Sequence, residues 1–286
     1  MTQPEISIVI PVFNEEENLP ILAAEIHGAM RGLGRPYEVI FVDDGSTDTS
    51  PEVLRQLARE DSAVRILHQR RNSGQSAALD AGFRFARAGI VITLDADLQN
   101  DPADIPKLLG RLEGPSGCDV VCGVRAHRQD TWVRKVSSRI ANGVRNRLTH
   151  ESVTDVGCTL KAFRTEYLRR IPMFTGMHRF LPTLLKMEGA RVVEVPVNHR
   201  PRLHGQPKYN IRNRIWRALA DLFAVRWMQK RWIDRRLSEE IDTWMQRPSG
   251  SSSASSDRPS SSAASSSSGS PPSGKSRASS PDPSGT

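Results

Sequence analysis

Four short runs rich in β-branched and other apolar residues, "ISIVIPVF", "YEVIFVDD", "VRILHQ" and "GIVITLDAD", recur through the first hundred positions, each followed by a helix-length amphipathic stretch. Runs without clean polar alternation belong to strands covered on both faces, and strands that alternate with helices pair in parallel through crossover connections. The expected fold is therefore α/β: a doubly wound, mostly parallel sheet flanked by helices. The helices are expected at residues 14–33, with glutamates in the first turn, then at 50–60, 73–87 and 102–113. After "DVVCGVR" the alternation breaks down. Basic helical segments follow at 130–148, with short strands expected at 159–164 and 190–197 and a helix at 178–189 between them.

Each strand-like run of the first half ends in a polar cluster: "FNEEEN", "DDGSTD", "RRNSGQS" and "DADLQND". Open α/β sheets bind ligands outside the carboxyl ends of their strands, so these four loops should converge on one cleft. In "DADLQ", Asp95, Asp97 and Gln99 offer the hard oxygen ligands that a divalent ion such as Mg²⁺ or Mn²⁺ takes together with a bound diphosphate. The bland reading is a helix cap; Asn100 and Asp101, just before Pro102, account for that role and leave Asp95 and Asp97 unexplained. In "VDDGSTD", Asp43 and Asp44 end a buried strand, where a carboxylate needs partners and can accept from a nucleobase or a ribose, while Gly45 permits a tight turn. An Asp-Gly turn with Ser46 to Asp48 capping the next helix explains Asp48 better than Asp43. No glycine-rich phosphate loop follows the first strand, so a nucleotide here would rely on metal and carboxylates.

Composition sets the limits. The chain has 286 residues, but from Pro248 onward it is nearly all Ser, Pro, Gly and Ala, which cannot form a core. Forty Lys and Arg against 32 Asp and Glu give +8. The excess lies mainly between residues 125 and 236, and suits an anionic partner. Cys118, Cys122 and Cys158 make an odd set with no paired framework and no complete zinc site, which fits small buried hydrophobes in a reducing compartment. The N-terminal apolar run is too short for a signal peptide or a membrane span.

The motifs "SIVIPVFNEEENL", "VDDGSTDTS", "NSGQSAALDAGF" and "LDADLQNDP" closely resemble the nucleotide-sugar half of family 2 glycosyltransferases of the GT-A fold. "RKVSSRIAN", "DVGCTLKAFR", "HRFLP" and "VNHRPRLHGQPKY" narrow the resemblance to the polyprenyl-phosphate, dolichol-phosphate mannosyltransferase-like branch. The resemblance covers roughly residues 5 to 236. It implies that Pro11, Phe13 and Glu15 line the base and ribose pocket beside Asp43 and Asp44, and that Asp95, Asp97 and Gln99 hold metal and diphosphate. Arg134 and Ser138 fall where the branch binds the acceptor lipid's phosphate, and Arg202 where it contacts phosphate near the reaction centre. Arg125, at the end of "DVVCGVR", is a further acceptor-phosphate candidate. Pro207 replaces the serine usual in the branch's Gly-x-Ser-Lys-Tyr motif.

The expected organisation is a catalytic domain at 1–210, with a donor half at 1–125 and an acceptor half at 126–210. A basic amphipathic helical segment at 211–246 and a disordered tail at 247–286 follow. Trp216, Leu219, Ala220, Phe223 and Trp227 form an apolar stripe among arginines, which suits either an anionic membrane surface or packing on protein. The resemblance and the absence of a spanning segment together imply a cytoplasmic enzyme, peripheral on the inner face of the membrane. The expected reaction moves a hexose with inversion from a nucleotide sugar, GDP-mannose or a UDP-sugar, to a polyprenyl phosphate, with Asp97 and Arg202 as the catalytic residues. The alternatives are transfer to a hydroxyl of a glycan or lipid, which needs a positioned base and finds only Asp155, and a non-catalytic nucleotide-sugar-binding subunit. Nucleic acid is not an expected partner, because the basic residues lack interleaved stacking aromatics.

Overall fold

The computed structural model describes residues 3–115, 117–126, 143, 154–203 and 211–233, with residues 211–218 described by backbone alone. Numbered along these residues, the first half runs β1 (Ile6–Val12), α1 (Leu19–Leu33), β2 (Tyr37–Asp43), α2 (Ser50–Glu60), β3 (Val64–His68), α3 (Gln75–Phe85), β4 (Ile90–Thr93) and α4 (Ile105–Glu113). The second half adds β5 (Val120–Arg125), β6 (Lys161–Arg164), α5 (Thr165–Leu168), α6 (Leu181–Met187), β7 (Val192–Val197) and α7 (Ile211–Arg231).

The seven strands lie in the order β3-β2-β1-β4-β6-β5-β7. All neighbouring pairs are parallel except those of β6, which runs antiparallel between β4 and β5. The β-branched runs are explained by burial on both faces. Along β1, Ile6, Ile8, Ile10 and Val12 point into one core, packed with Leu22 and Ile26 of α1 and Leu108 of α4. Val9 points into the other, against Ala78 and Phe83 of α3 and Leu184 of α6. The period of two thus assigns each strand residue to one of two apolar layers.

Several element ends are shifted by two or three residues from the sequence expectation, and two boundaries differ more. α1 begins at Leu19, not at residue 14, and has no acidic residue in its first turn. Pro20 is tolerated only in a first turn. Glu15 and Glu16 are instead drawn to the neighbouring loop, where the Glu15 N–H donates to Ser50 Oγ and Glu16 Oε2 accepts from the Thr49 N–H. β4 ends at Thr93, opposite Lys161 of β6, so the acidic "DADLQND" lies wholly in the loop beyond the strand.

α7 packs on the second core through Leu222 and Val225. The approach is close: a Cβ at Gly176, whose φ is 90°, would lie 2.3 Å from Asp221 Oδ2. The other side of the same helix leaves Phe223 64% and Trp227 65% exposed. The inward face is thus made by Leu222 and Val225, which the stripe read from the sequence did not include, whereas Ala220, Phe223 and Trp227 of that stripe are exposed. No helix among the described residues is long and apolar enough to cross a membrane. Residues 234–286, which include the expected tail, lie outside the described residues, as do Pro207, Lys208 and Tyr209.

Candidate active site at the carboxyl edge of the sheet

Beyond Thr93 the chain turns through Leu98, which takes a left-handed φ of 61° while its side chain is buried. A non-glycine residue in this region costs on the order of 1–3 kcal/mol and persists where its surroundings impose it. What imposes it is a hydrogen-bonded frame. Asn100 Oδ1 accepts from the Asp95 N–H at 3.2 Å and from Thr159 Oγ1 at 2.7 Å, and the Thr159 carbonyl accepts from Thr93 Oγ1 at 2.7 Å. Asn100 is thus a brace between β4 and the turn before β6 rather than a helix cap. Asp101 alone caps, its Oδ1 accepting from the Ala103 N–H at 3.0 Å.

The frame presents two carboxylates. Asp95 Oδ1 accepts from Gln75 Nε2 at 2.8 Å. Asp97 Oδ1 accepts from the Gln99 N–H at 3.2 Å, and Asp97 Oδ2 from Arg202 Nη2 at 2.7 Å. Burial, with the charge of Asp97 second, pushes the Asp95 carboxyl up to about 7. Burial also raises Asp97, against the pull of Arg202. Glu15 adds negative charge near Asp97. Lys161, buried on β6, pulls Asp95 back down from within the sheet.

The loop after β2 forms the adjoining wall. Asp43 accepts from the Ser46 N–H at 3.0 Å and pairs with His68 Nδ1 at 2.7 Å. Asp44 accepts from the Ser73 and Gly74 N–H groups at 2.7 and 2.8 Å, while burial raises its carboxyl. Gly45, at φ 69°, could bear no side chain, because a Cβ would lie 2.7 Å from the backbone at Arg71 and Asn72. Asp44 therefore ties the loop after β2 to the loop after β3, and Asp43 ties it to the end of β3. Pro11 lies on β1 beside Val42, and the β1 end beyond it carries Phe13 and Glu15. Asn14, also left-handed at φ 52°, accepts from the Thr47 N–H at 2.7 Å. The four strand-end loops thus meet at one edge, as the sheet topology requires.

The second half reaches this edge through residues 198–202. Asn100 and His199 form an antiparallel bridge, and the Arg200 N–H donates to the Gln99 carbonyl at 2.9 Å. Arg200 also pairs with Glu25 at 2.7 Å and Asp101 at 2.6 Å. The Asn198 N–H donates to Asp104 Oδ2 at 2.6 Å. These anchors set Arg202 against Asp97. Sequence reasoning missed Asn100 as a brace and Asn198, Arg200 and Gln75 altogether. The one available signal was the cluster "NHRPR" directly after a strand.

Arg125 is placed differently from the expectation of an open phosphate-binding arginine. Its Nε and Nη2 donate to Asp155 Oδ2 and Oδ1, both at 2.7 Å, and the two side chains are 15% and 6% exposed. A bidentate, largely buried fork is already committed to a carboxylate. The same pair removes Asp155 as a ready general base. Arg134 and Ser138 lie outside the described residues.

The donor set fits a hard divalent cation bound with a ligand. Among the described residues no group of three or more His, Cys, Asp or Glu side chains could hold a metal by itself. Two carboxylates disfavoured as a doubly charged pair are nevertheless short of positive charge, and an ion that keeps several positions for water and phosphate needs only one or two. The three cysteines are buried and unpaired, and burial pushes the Cys122 thiol up to about 12.

A mixed, mostly parallel sheet with acidic loops at its carboxyl edge and an arginine brought onto them defines an α/β class of protein. Residues 7–172 match glycosyl transferase family 2, and the chain belongs to that family. It is 41% identical over 207 residues to the undecaprenyl-phosphate 4-deoxy-4-formamido-L-arabinose transferase of Edwardsiella ictaluri, covering 72% of this chain and 63% of the relative. It is 39% identical over 225 residues to the dodecaprenyl-phosphate galacturonate synthase of Rhizobium johnstonii, covering 77% and 66%. The chain thus spans just under two thirds of these relatives' length. Among solved structures, it superposes on the mannosyltransferase PcManGT of Pyrobaculum calidifontis, in complex with GDP-Man and Mn²⁺, at a TM-score of 0.55 with 21% identity, over 80% of this chain and 65% of that one. Glucosyl-3-phosphoglycerate synthase of Mycobacterium tuberculosis, in complex with Mn²⁺, UDP and phosphoglyceric acid, gives 0.60 with 19% identity, over 79% and 78%. The shared fold is GT-A.

Proposed function

We propose that this chain transfers a hexose-type sugar, with inversion, from a nucleoside diphosphate to a polyprenyl phosphate. The observation that carries the reading is the contact between Arg202 of the acceptor half and Asp97 of the donor half at 2.7 Å. A guanidinium there, if it binds the acceptor phosphate, stands beside the carboxylates that would hold a metal and diphosphate. The names of the relatives, which include undecaprenyl- and dodecaprenyl-phosphate enzymes, support the same acceptor class.

The nucleophile in this reading is a phosphate monoester, mostly ionised at neutral pH because its second pKa is about 6. One of its oxygens forms the bond to the anomeric carbon as the bond from that carbon to the diphosphate oxygen breaks. The electron pair leaves with the nucleoside diphosphate, and no proton need be removed. The site must therefore align two anions and relieve their repulsion rather than supply a strong base. Asp95 and Asp97, with Gln99, would hold Mg²⁺ or Mn²⁺, which when bound neutralises the departing diphosphate. Arg202 would hold the acceptor phosphate, exchanging Asp97 for the substrate once the cation balances that carboxylate. Pro11, Phe13 and Glu15 would flank the nucleoside, with Asp43 and Asp44 fixing the adjacent loops. The pairing of Asp155 with Arg125 weighs against the rival that acts on a hydroxyl acceptor.

The exposed Phe223 and Trp227, with Arg226, Lys230 and Arg231 nearby on α7, would rest on an anionic leaflet, where a lipid-borne acceptor resides. Incubation with a panel of nucleotide sugars, a short polyprenyl phosphate and Mn²⁺, followed by mass analysis of the lipid, tests the reaction. A lipid-linked sugar phosphate is expected; the reading fails if every donor leaves the lipid unchanged.

A further inference from the structure

The opposite edge of the sheet carries a second concentration of positive charge. Ile90 at the start of β4 pairs with Arg164 at the end of β6, so residues 87–89 and 164–169 lie at the edge remote from Asp95. The six residue steps from Gly89 to Asp95, four of them within or entering β4, span at most about 20 Å. A cavity of about 360 Å³ opens at this edge, lined by Arg87, Arg164 and Arg169 together with Gln3, Gly89 and Glu166.

Its floor is rigid. The Arg87 N–H donates to Glu38 Oε1 at 2.8 Å, the Ala88 N–H to Ser7 Oγ at 3.2 Å, and Ser7 Oγ to Glu38 Oε1 at 2.6 Å. From the other side, Thr165 Oγ1 donates to the Ala88 carbonyl at 2.7 Å and the Thr165 N–H to the Gly89 carbonyl at 3.0 Å. Ser7, Glu38 and Thr165 are all buried. The polar groups of the floor satisfy one another and hold the backbone that carries the arginines.

Among the described residues the fold makes little use of these arginine side chains. The carboxylate paired with Arg164 is Asp119, at 3.9 Å, beyond hydrogen-bond reach. The side chains of Arg87 and Arg169 make no hydrogen bond or ion pair among the described residues. Glu166 is the one carboxylate lining the cavity. Three like charges around one hollow repel, and an oxyanion both relieves that repulsion and matches the planar guanidinium fork.

We infer that this cavity is a second anion site, separate from the carboxyl-edge cleft, that takes a phosphate group, either of a small soluble phosphate ester or of a phospholipid headgroup. Its volume of about 360 Å³ admits such a group together with the ester or headgroup attached to it. The inference does not depend on the reaction assigned to the other edge.

The test is titration calorimetry on the full chain without divalent metal, using glycerol phosphate in one arm and, with Phe223→Ser and Trp227→Ser introduced to remove the α7 contact, phosphatidylglycerol vesicles in the other. Binding in the first arm assigns a soluble ester, and binding in the second alone assigns a headgroup. In either arm the double variant Arg87→Ser/Arg169→Ser should weaken binding by at least about tenfold, given the strength of charge-assisted hydrogen bonds. Glu166→Gln should strengthen it, and Arg202→Ala should leave it unchanged. Because Arg87 and Arg169 are exposed, the double variant should melt like the parent. The inference is overturned if neither probe binds, if the double variant binds as the parent does, or if Arg202→Ala alone abolishes binding.

Discussion

Arg202 and Asp97 lie 105 positions apart in the chain, yet Arg202 Nη2 donates to Asp97 Oδ2 at 2.7 Å. The contact joins the two halves of the domain at the point where a cation is wanted. Arg202→Ala should lower kcat by about a hundredfold, the scale of losing one preorganised donor to a developing anion. Mn²⁺ affinity, measured by calorimetry, should stay or rise, because a competing positive charge has gone. A variant with unchanged kcat would contradict the phosphate role.

Metal should stabilise the chain in a pH-dependent way. Asp95 is raised to about 7 in the folded protein from an ordinary value of 3.8. The folded state thus holds a proton that the unfolded state has lost between those values. The metal-free chain is most favoured by this group below about pH 4, and loses that contribution as pH rises to about 7. A Mn²⁺ ion held by Asp95 and Asp97 would need the ionised pair, so on the proposed assignment its increment in Tm should be larger at pH 8 than at pH 5.5. Equal increments at both pH values would refute the assignment of Asp95 to the metal.

Arg125 and Asp155 make the opposite kind of prediction. Removing one partner of a buried pair strands the other, at about 3–5 kcal/mol. Arg125→Met should therefore lower Tm markedly while the folded fraction keeps its turnover. Loss of turnover at unchanged Tm would restore Arg125 as an acceptor contact.

The two faces of α7 should separate experimentally. Leu222→Ala should destabilise by about 2–5 kcal/mol, as large-to-small changes in a core do. Phe223→Ser with Trp227→Ser, both at exposed positions, should leave Tm unchanged and reduce cosedimentation with anionic vesicles. Vesicle binding that survives the double change would count against the membrane role.

The sheet was readable from the sequence because β1, β2 and β4 are apolar on both faces, and a strand buried on both sides shows itself as an uninterrupted run. Asp95, Asp97 and Arg202 were readable as residue types at strand ends and through the family resemblance. What the sequence left hidden is pairing at long range. Nothing local marks Asn100 as the brace for Asp95 and Thr159 rather than a cap, since an asparagine two places before a proline suits both roles. The Arg125 fork was invisible for the same reason: its partner Asp155 is 30 positions away. α1 was placed too early because acidic residues before an apolar run resemble a first helical turn, whereas tertiary contacts to Thr49 and Ser50 hold them in a loop.

The central claim is that the acceptor is already ionised and the site needs no strong base. One competition measures it: a polyprenyl phosphate and the polyprenol of the same chain length, offered together with a nucleotide sugar and Mn²⁺ and resolved by mass. The account predicts sugar on the phosphate alone. Sugar on the alcohol, with the phosphate untouched, would contradict it.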